Sequence, residues 1–569
     1  MNCLDRLLAR AGLIKICVII VVAIYVALLL YKPGLSPSDE YAFLPTLQSG
    51  KFFPVYDKDF PYYDYSTLGR LGPLGGQEYN LAAPFTQDPI GYFVINAIEL
   101  VVLVIALLSV LRAVSTNNGL NYLAVGFLLT VPAVTNTYFK LLFIDKNIAT
   151  LLAMFLGIYI TFQNRPRWGY FLAALVTANL AIYYKEPVFI AVGAFCAGHL
   201  FFTWRSASWR VRLLDLAGIA SGLVWVLVYL ILVLPHRTYA VPSGLGSESW
   251  SLVFAKTIFN YGFFTDPVLI LIVLPLTATR LYQVFVQKQR PHPLADPMLG
   301  AASAYIGVFF VLNLYSPYYL LTAYVFALPA ICHFLDRRML STRVWKVLFG
   351  VAGVAVVFNA VPTGLHYLTY NKYLPINFSH AMDVLIREVE TRYDGKRVRI
   401  FFDGVDRGNG RGVYFIAGEF LKHRGLSIRK FDFVSDIETP NAGLFVGRRS
   451  PFDQDEDIRQ VDPQNQLVNR DFPFTVFQPG PSPKIRSGDI FVVSPQSLKW
   501  VDKAYIDRLK QDYELVFESQ SPLAVPNVTV KALAKYILMK RDARRGEDSG
   551  LMVSQNIFEW PDYYIFVKR

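Results

Sequence analysis

Apolar runs near the length of a membrane-spanning helix recur from the N-terminus to about residue 362 and then stop. A helix needs about 20 apolar residues to cross a hydrocarbon core of about 30 Å. We therefore predict about eleven transmembrane helices, near 12–31, 90–112, 121–139, 145–162, 168–184, 187–204, 213–234, 267–286, 298–314, 318–335 and 344–362. The first run is too long for a signal peptide and no small-residue cleavage site follows it, so we expect it to stay as an anchor.

Composition agrees with a membrane location. Hydrophobic residues make up 54% of the chain and charged residues only 17%, whereas soluble proteins are about a quarter charged. These values exclude a disordered chain and argue against a soluble enzyme with one large core. The four cysteines, Cys3, Cys17, Cys196 and Cys332, have no metal-like spacing, so neither a disulfide framework nor a cysteine zinc site is indicated.

The orientation follows from the basic residues, because Lys and Arg in short loops are retained on the cytoplasmic side. With the N-terminus inside, 16 of the 25 Lys and Arg residues before residue 363 fall in inner segments, which hold only four acidic residues. An odd number of spans then places the C-terminus outside. The same bias explains the net charge of +12, so no nucleic-acid partner is indicated.

The chain divides into a membrane domain, 1–362, and an outer C-terminal domain, 363–569. The membrane domain contains a long first outer loop, 32–88, rich in Tyr, Phe, Pro and Asp. The tail alternates strand-like segments with helix-like segments near 378–393, 411–424, 501–511 and 528–541. This alternation predicts a small soluble α/β domain with a largely parallel sheet. The predicted fold class is thus an α-helical polytopic membrane protein with a C-terminal α/β domain.

Asp39 and Glu40, in "SPSDEYAF", lie a few residues beyond the outer end of the first span. Two adjacent carboxylates repel one another, so stability does not explain them. One of them is suited to act as a base while the other positions a ligand. An acidic pair alone also occurs by chance in many loops.

The context of this pair resembles the GT-C class of membrane glycosyltransferases. The shared features are an N-in first helix, a long first outer loop that opens with the pair, about eleven spans and an outer C-terminal domain. The pattern is most similar to protein O-mannosyltransferases and to bacterial aminoarabinose and arabinofuranose transferases. The resemblance implies a sugar donor linked to polyprenyl phosphate, a catalytic role for Asp39, and Glu40 as its neighbour.

Sugar transfer from a phospholipid needs a base for the acceptor hydroxyl and cations for the departing phosphate. The predicted donor phosphate-binding residues are outer basic residues at span ends, Lys140, Lys146, Lys185, His236 and Arg237. The alternative for each is a cation that reaches lipid headgroups. Lys185 has a further alternative, a local ion pair with Glu186.

Two more acidic residues are candidates. Asp145 begins a span on the outer side and is the second catalytic carboxylate; its alternative is a helix N-cap. Glu99 lies near mid-membrane, where an ionisable group is costly. It either lines the active cavity or forms a hydrogen bond between helices. No pattern indicates a metal site, and the cofactor is unknown.

Three functions follow as hypotheses. The first is an inverting glycosyltransferase that moves a sugar from a polyprenyl-phosphate donor to an extracytoplasmic glycan, lipid or protein, in a bacterial inner membrane. The second is a transporter or lipid-linked glycan flippase, against which the spans show no internal repeat. The third is a glycan polymerase or ligase that uses a diphosphate-linked oligosaccharide. It would need a second large outer loop rich in Arg, but the longest remaining outer loop is 235–266.

Overall fold

The computed structural model describes most of the chain outside the first outer loop and parts of the C-terminal region. The described residues are 11–38, 40, 71–86, 88–236, 255, 258–312, 316–337, 339–340, 342–402, 410–427, 429–435, 485–495, 503–530, 532–534, 536–537, 541 and 560–569. The chain forms two compact units. The first comprises 1–31 and 52–368, and the second comprises 32–51 and 369–569.

The first unit is helical. Its α-helices are α1 (Ala11–Leu30), α2 (Glu78–Ala82), α3 (Pro89–Val114), α4 (Asn118–Thr130), α5 (Pro132–Tyr138), α6 (Asp145–Asn164), α7 (Trp168–Tyr184), α8 (Val188–Thr203), α9 (Trp209–Val228), α10 (Leu274–Leu281), α11 (Ala295–Val311), α12 (Leu321–Asp336) and α13 (Arg343–Ala355). Turns of π-helix occur at Tyr229–Val233, Asn260–Thr265, Leu269–Val273, Tyr282–Val286 and Val356–Ala360, and a 3-10 turn at Leu234–His236. Helix α14 (Val361–Arg392) continues from α13 and enters the second unit.

Several of these helices are long and apolar enough to cross a membrane. Six segments qualify, Ala11–Leu30, Pro89–Val114, Asp145–Asn164, Trp209–Val233, Leu269–Val286 and Arg343–Arg392. The pair α4 and α5, bent by 59°, makes seven if it counts as one span. Four shorter apolar helices are α7, α8, α11 and α12. The chain is therefore an integral membrane protein, and every predicted span overlaps a helix; that all eleven cross the bilayer stays a prediction.

The bend between α4 and α5 has a local cause. Pro132 begins α5, and the residue before it, Val131, is extended with φ −74° and ψ 147°. A proline restricts the preceding residue to this conformation and cannot donate a backbone hydrogen bond. The single predicted span 121–139 is therefore two helices.

The helix connections gather alternately at two ends of the first unit. At one end, which we call the Asp145 end, residues 71–74, 143–145, 183–186 and 318 contact one another. At the opposite end, the Asp336 end, Asp336 accepts a hydrogen bond of 2.7 Å from the backbone of Thr116, and the rings of His292 and His333 lie 3.8 Å apart. This alternation is what a chain that passes repeatedly through a membrane requires.

The second unit contains a five-stranded sheet in the order β2-β1-β3-β5-β4. Its elements are β1 (Val398–Phe402), α15 (Gly410–His423), β2 (Phe431–Ser435), β3 (Ile490–Val493), α16 (Lys503–Asp512), β4 (Tyr513–Glu518) and β5 (Tyr564–Lys568). Strands β1, β2 and β3 are parallel, but β5 runs antiparallel to both β3 and β4. The expectation of a largely parallel sheet is therefore wrong in part, because the last strand inserts between β3 and β4 in the reverse direction.

Side chains on one face of this sheet form the core of the unit. Phe401, Phe491 and Phe566 come from three adjacent strands and pack with Ile506 of α16 and Tyr513 of β4. The helix that leads into the unit runs unbroken through the predicted domain boundary at residue 362, and the two units divide after Leu368.

Candidate functional site

A buried ion pair lies at the Asp145 end. The Lys185 Nζ is 2.8 Å from Oδ1 and 2.9 Å from Oδ2 of Asp145, and the two residues are 6% and 1% exposed. Asp145 begins α6 and Lys185 directly follows α7, so the packing of these helices brings the two charges together. A buried pair contributes little net stability compared with apolar side chains, because both charges lose their hydration. The pair is therefore a candidate for a functional role.

Aromatic rings line this pair. The Lys185 Nζ lies 4.3 Å from the ring centroid of Tyr319 and 5.4 Å from that of Tyr318. Phe143 stacks on Tyr318 with centroids 4.1 Å apart, and the Lys140 Nζ lies 4.8 Å from the Phe143 centroid. We call these five residues the aromatic–cation row. Its three rings and Lys140 are half-buried.

The structure distinguishes between the alternatives for Asp145 and Lys185. The N-cap position of α6 is Ile144, which makes no side-chain cap, and the Asp145 carboxylate binds Lys185 instead. Glu186 does not pair with Lys185 here, since its Oε1 accepts a hydrogen bond of 3.2 Å from the backbone of Leu71. Lys185 itself is buried, with its ammonium against the Asp145 carboxylate.

Lys146 is fully buried, and its role differs from that of Lys185. Its Nζ donates to the backbone carbonyls of Lys140, Leu141 and Phe143 at 3.1, 2.7 and 3.2 Å. The ammonium therefore holds the loop that carries Lys140 and Phe143 against the start of α6. This position gives Lys146 a supporting role in the row, not direct access to a ligand.

Two carboxylates share the charge of Lys146. Glu78 of α2 accepts a hydrogen bond of 3.0 Å from the Tyr184 hydroxyl, and burial raises the pKa of Glu78 while Lys146 opposes that rise. Glu99 of α3 accepts a hydrogen bond from Asn147 of α6. Glu99 thus forms the helix–helix hydrogen bond that was one of its two alternatives. Among the described residues, Glu78, Glu99 and Asn147 each retain one buried oxygen that has no hydrogen-bond partner.

Three predicted site residues lie outside the described part of the chain. They are Asp39, Arg237 and the side chain of His236. Glu40 belongs to the second unit, where it is 1% exposed and its Oε2 accepts a hydrogen bond of 2.6 Å from the backbone of Ser36. Within the described residues, no group of three or more His, Cys, Asp or Glu side chains is arranged to hold a metal.

Sequence reasoning missed the aromatic half of the row and Glu78. Tyr318 and Tyr319 stand in "YSPYYL" at the start of a predicted span, where aromatic residues are common at the membrane interface. Two neighbouring tyrosines at a predicted membrane interface were the available signal. No sequence signal indicated Glu78, because its burial depends on contacts with α7 and with the start of α6.

No protein-family model and no curated protein sequence matches the chain. Among solved structures, it is similar to the archaeal oligosaccharyltransferase AglB from Archaeoglobus fulgidus, in complex with an inhibitory peptide and a dolichol-phosphate. The TM-score is 0.36 at 13% identity, over 71% of this chain and 63% of that protein. It is also similar to ArnT from Cupriavidus metallidurans bound to undecaprenyl phosphate, with a TM-score of 0.37 at 12% identity, over 88% of this chain and 96% of that one. At TM-scores below 0.5, both matches show similarity only.

Proposed function

We propose that the chain is an inverting glycosyltransferase that moves one sugar from a polyprenyl-phosphate-linked donor to an extracytoplasmic glycan, lipid or protein. The observation that carries this proposal is the buried Asp145–Lys185 pair within the aromatic–cation row. A lysine held at a dry, aromatic-walled site retains a strong electrostatic interaction with an oxyanion, because little water screens it. Such a site suits the phosphate that leaves when the sugar is transferred.

The residues of the row have different proposed roles. Lys185 binds the donor phosphate, and Asp145 orients the Lys185 ammonium. Lys140, at the other end of the row, is the second cation, and Lys146 positions the loop that carries it. His236 and Arg237 remain proposed phosphate ligands from the sequence. Tyr318, Tyr319 and Phe143 offer ring faces to the sugar, since ligand sites combine aromatic walls with few polar groups.

The base is proposed to be Asp39, with Glu40 as its neighbour. Asp145 is the second candidate on sequence grounds, but its carboxylate is already engaged by Lys185. The donor is expected to enter sideways from the bilayer, because each methylene of its isoprenoid tail would cost about 0.8 kcal/mol in water.

A transporter or flippase is the second candidate function. The bent pair α4 and α5 is the observation in its favour, because transporters build their sites from interrupted helices. Such interruptions occur in matching pairs in repeated halves, and the described part of the chain shows one.

The test is to incubate the purified protein in nanodiscs with a panel of polyprenyl-phosphate sugars and to measure release of polyprenyl phosphate. Lys185→Met should weaken donor binding, and Asp39→Asn should lower the single-turnover rate by about 10²- to 10⁴-fold while the donor still binds.

The matched control is Arg280→Met at the Asp336 end. Arg280 forms a similar buried pair with Asp296 at 2.8 Å, so this variant loses an equivalent ion pair away from the proposed site. If the two ion-pair variants lose donor binding equally, the Asp145–Lys185 pair is structural. Substrate movement across the membrane without release of polyprenyl phosphate would favour the transporter.

A further inference from the structure

The second unit carries an open groove of about 600 Å³ that none of the proposed catalytic residues lines. Its walls include His380, Asp383, Val384, Arg387, Arg424 and Phe517. Ligand sites of small molecules typically occupy about 300–1,000 Å³. The groove is thus large enough for a ligand of a few rings.

One wall of the groove is a face of α14. His380, Asp383, Val384 and Arg387 follow one another at spacings of three and four residues, which places them on the same side of a helix. Ala381, Leu385 and Val389 are fully buried on the other side. The sequence of α14 therefore directs a polar face into the groove and an apolar face into the core.

The two arginines in the groove differ in their contacts with the protein. Arg424 is held in place, because its Nη2 donates to Ser379 Oγ at 2.6 Å and its Nη1 lies 3.5 Å from Asp383 Oδ1. Arg387 is exposed and makes no hydrogen bond or ion pair within the described residues. With one carboxylate and two guanidinium groups, the groove has a surplus of positive charge.

The lining also has apolar groups. Phe517 of β4 adds an aromatic ring, and Val384 adds carbon surface on the same face of α14 as Arg387. A guanidinium binds a carboxylate or phosphate with two parallel hydrogen bonds, and an aromatic ring accepts the C–H face of a sugar. A ligand that contacts both the guanidinium groups and the Phe517 ring has a ring with an oxyanion substituent.

We propose that this groove binds an anionic saccharide, a sugar unit bearing a carboxylate or phosphate, that is part of the acceptor. The assignment to the acceptor rests on the proposed glycosyltransferase function. Arg387 and Arg424 bind the anionic group, Arg387 as the cation without a protein partner among the described residues and Arg424 as the one already held in position. Phe517 offers its ring face to the sugar, and His380 forms a hydrogen bond with a sugar hydroxyl.

The test measures binding of trigalacturonate and of neutral maltotriose to the full-length protein in nanodiscs of uncharged lipid, without donor. Trigalacturonate should bind the wild type, and Arg387→Ala should weaken that binding about 10- to 100-fold, as expected for loss of a hydrogen bond to a charged group. Maltotriose should bind more weakly than trigalacturonate by a similar factor.

Arg392→Ala is the matched control, because Arg392 lies on the same helix and pairs with Glu388 at 3.0 Å outside the groove. It should leave trigalacturonate binding unchanged. Equal binding of maltotriose, equal binding of a hexa-aspartate peptide, or an unchanged affinity in Arg387→Ala would each overturn the proposal. Because no donor is present, such a result leaves the polyprenyl-phosphate release assay as a separate test of the transferase.

Discussion

Charge at the Asp145 end is arranged residue by residue around two lysines with different tasks. Lys185 has one carboxylate partner and ring faces, whereas Lys146 is enclosed and donates to three carbonyls. Neither role is visible in the sequence, where both residues are outer lysines next to a span. The difference arises because Lys146 is on the first turn of α6, directly below the loop whose carbonyls it binds.

The structure predicts that Lys146→Met destabilises the protein strongly. The substitution removes the donor from three loop carbonyls. A buried acceptor that loses its donor costs about 1–3 kcal/mol. The thermal unfolding midpoint of the purified variant in detergent should therefore fall clearly below that of the wild type.

Lys140→Met is the control for this prediction. Lys140 is half-buried and its ammonium lies over the Phe143 ring, so its loss should change the midpoint little. Equal midpoints for Lys146→Met and the wild type would show that the loop does not need the Lys146 ammonium.

At the scale of elements, helix α14 packs closely against the end of α4. A Cβ on Gly364 would lie against the Thr130 carbonyl oxygen, at a separation that real Cβ atoms do not show. Because that oxygen belongs to the backbone, a side chain cannot move aside to make room. Gly364→Ala should therefore force the two helices apart at a cost of about 1–3 kcal/mol.

Gly353→Ala tests the same change where space is free. Gly353 lies in α13, the helix that continues into α14, and a Cβ there meets nothing within 4 Å. We expect a lower thermal midpoint for Gly364→Ala and little change for Gly353→Ala. Similar midpoints for both variants would contradict the close approach of α14 to α4.

The turn before β5 holds a carboxylate whose titration should affect the second unit. Asp562 Oδ1 accepts a hydrogen bond of 2.7 Å from Ser521 Oγ and one of 3.3 Å from Ser519 Oγ. Burial raises the pKa of Asp562 above its ordinary value in spite of these bonds. A raised pKa in the folded state means that the stability contribution is complete below the ordinary Asp pKa and is lost as pH rises through the raised value.

Asp562→Asn should remove this pH dependence. As the pH rises from about 4, near the ordinary pKa of Asp, the wild type should lose stability relative to Asp562→Asn until the raised pKa is passed. The measurement is the difference in thermal midpoint between the two proteins across this range. A difference that stays constant with pH would show that Asp562 titrates normally.

Elements that depend on local pattern were predictable from the sequence, and pairings that depend on distant segments were not. The helices of the first unit overlap the apolar runs because length and composition define them. Strand β5 was visible in "DYYIFVK", but its antiparallel position between β3 and β4 is set by tertiary packing. Likewise Asp145 and Lys185 were separate candidates, and only the packing of α6 on α7 makes them a pair.

At the scale of the whole molecule, basic residues that the sequence assigns to the inner side lie together at one end of the first unit. Arg112, Arg210 and Arg280 bind partners around the Asp336 end, where Arg112 reaches Tyr122, Arg210 reaches the Pro166 carbonyl and Arg280 pairs with Asp296. Basic loops are retained in the cytoplasm during insertion. We therefore expect the Asp336 end to face the cytoplasm and the Asp145 end to face outward, where the proposed donor site would meet an extracytoplasmic acceptor.

Cysteine accessibility tests this orientation on intact cells. Phe85 is 87% exposed on the loop after α2, at the Asp145 end, and Ser206 is exposed after α8, at the Asp336 end. The variants Phe85→Cys and Ser206→Cys are made in a background in which Cys3 and the exposed Cys17 are replaced by serine; Cys196 and Cys332 are buried and stay. A membrane-impermeant maleimide should label Phe85→Cys on intact cells and Ser206→Cys only after permeabilisation.

The reverse pattern would place the Asp145–Lys185 pair at the cytoplasmic side, and the acceptor would then have to be a cytoplasmic molecule. Labelling of both variants on intact cells would contradict the alternation of helix connections between the two ends.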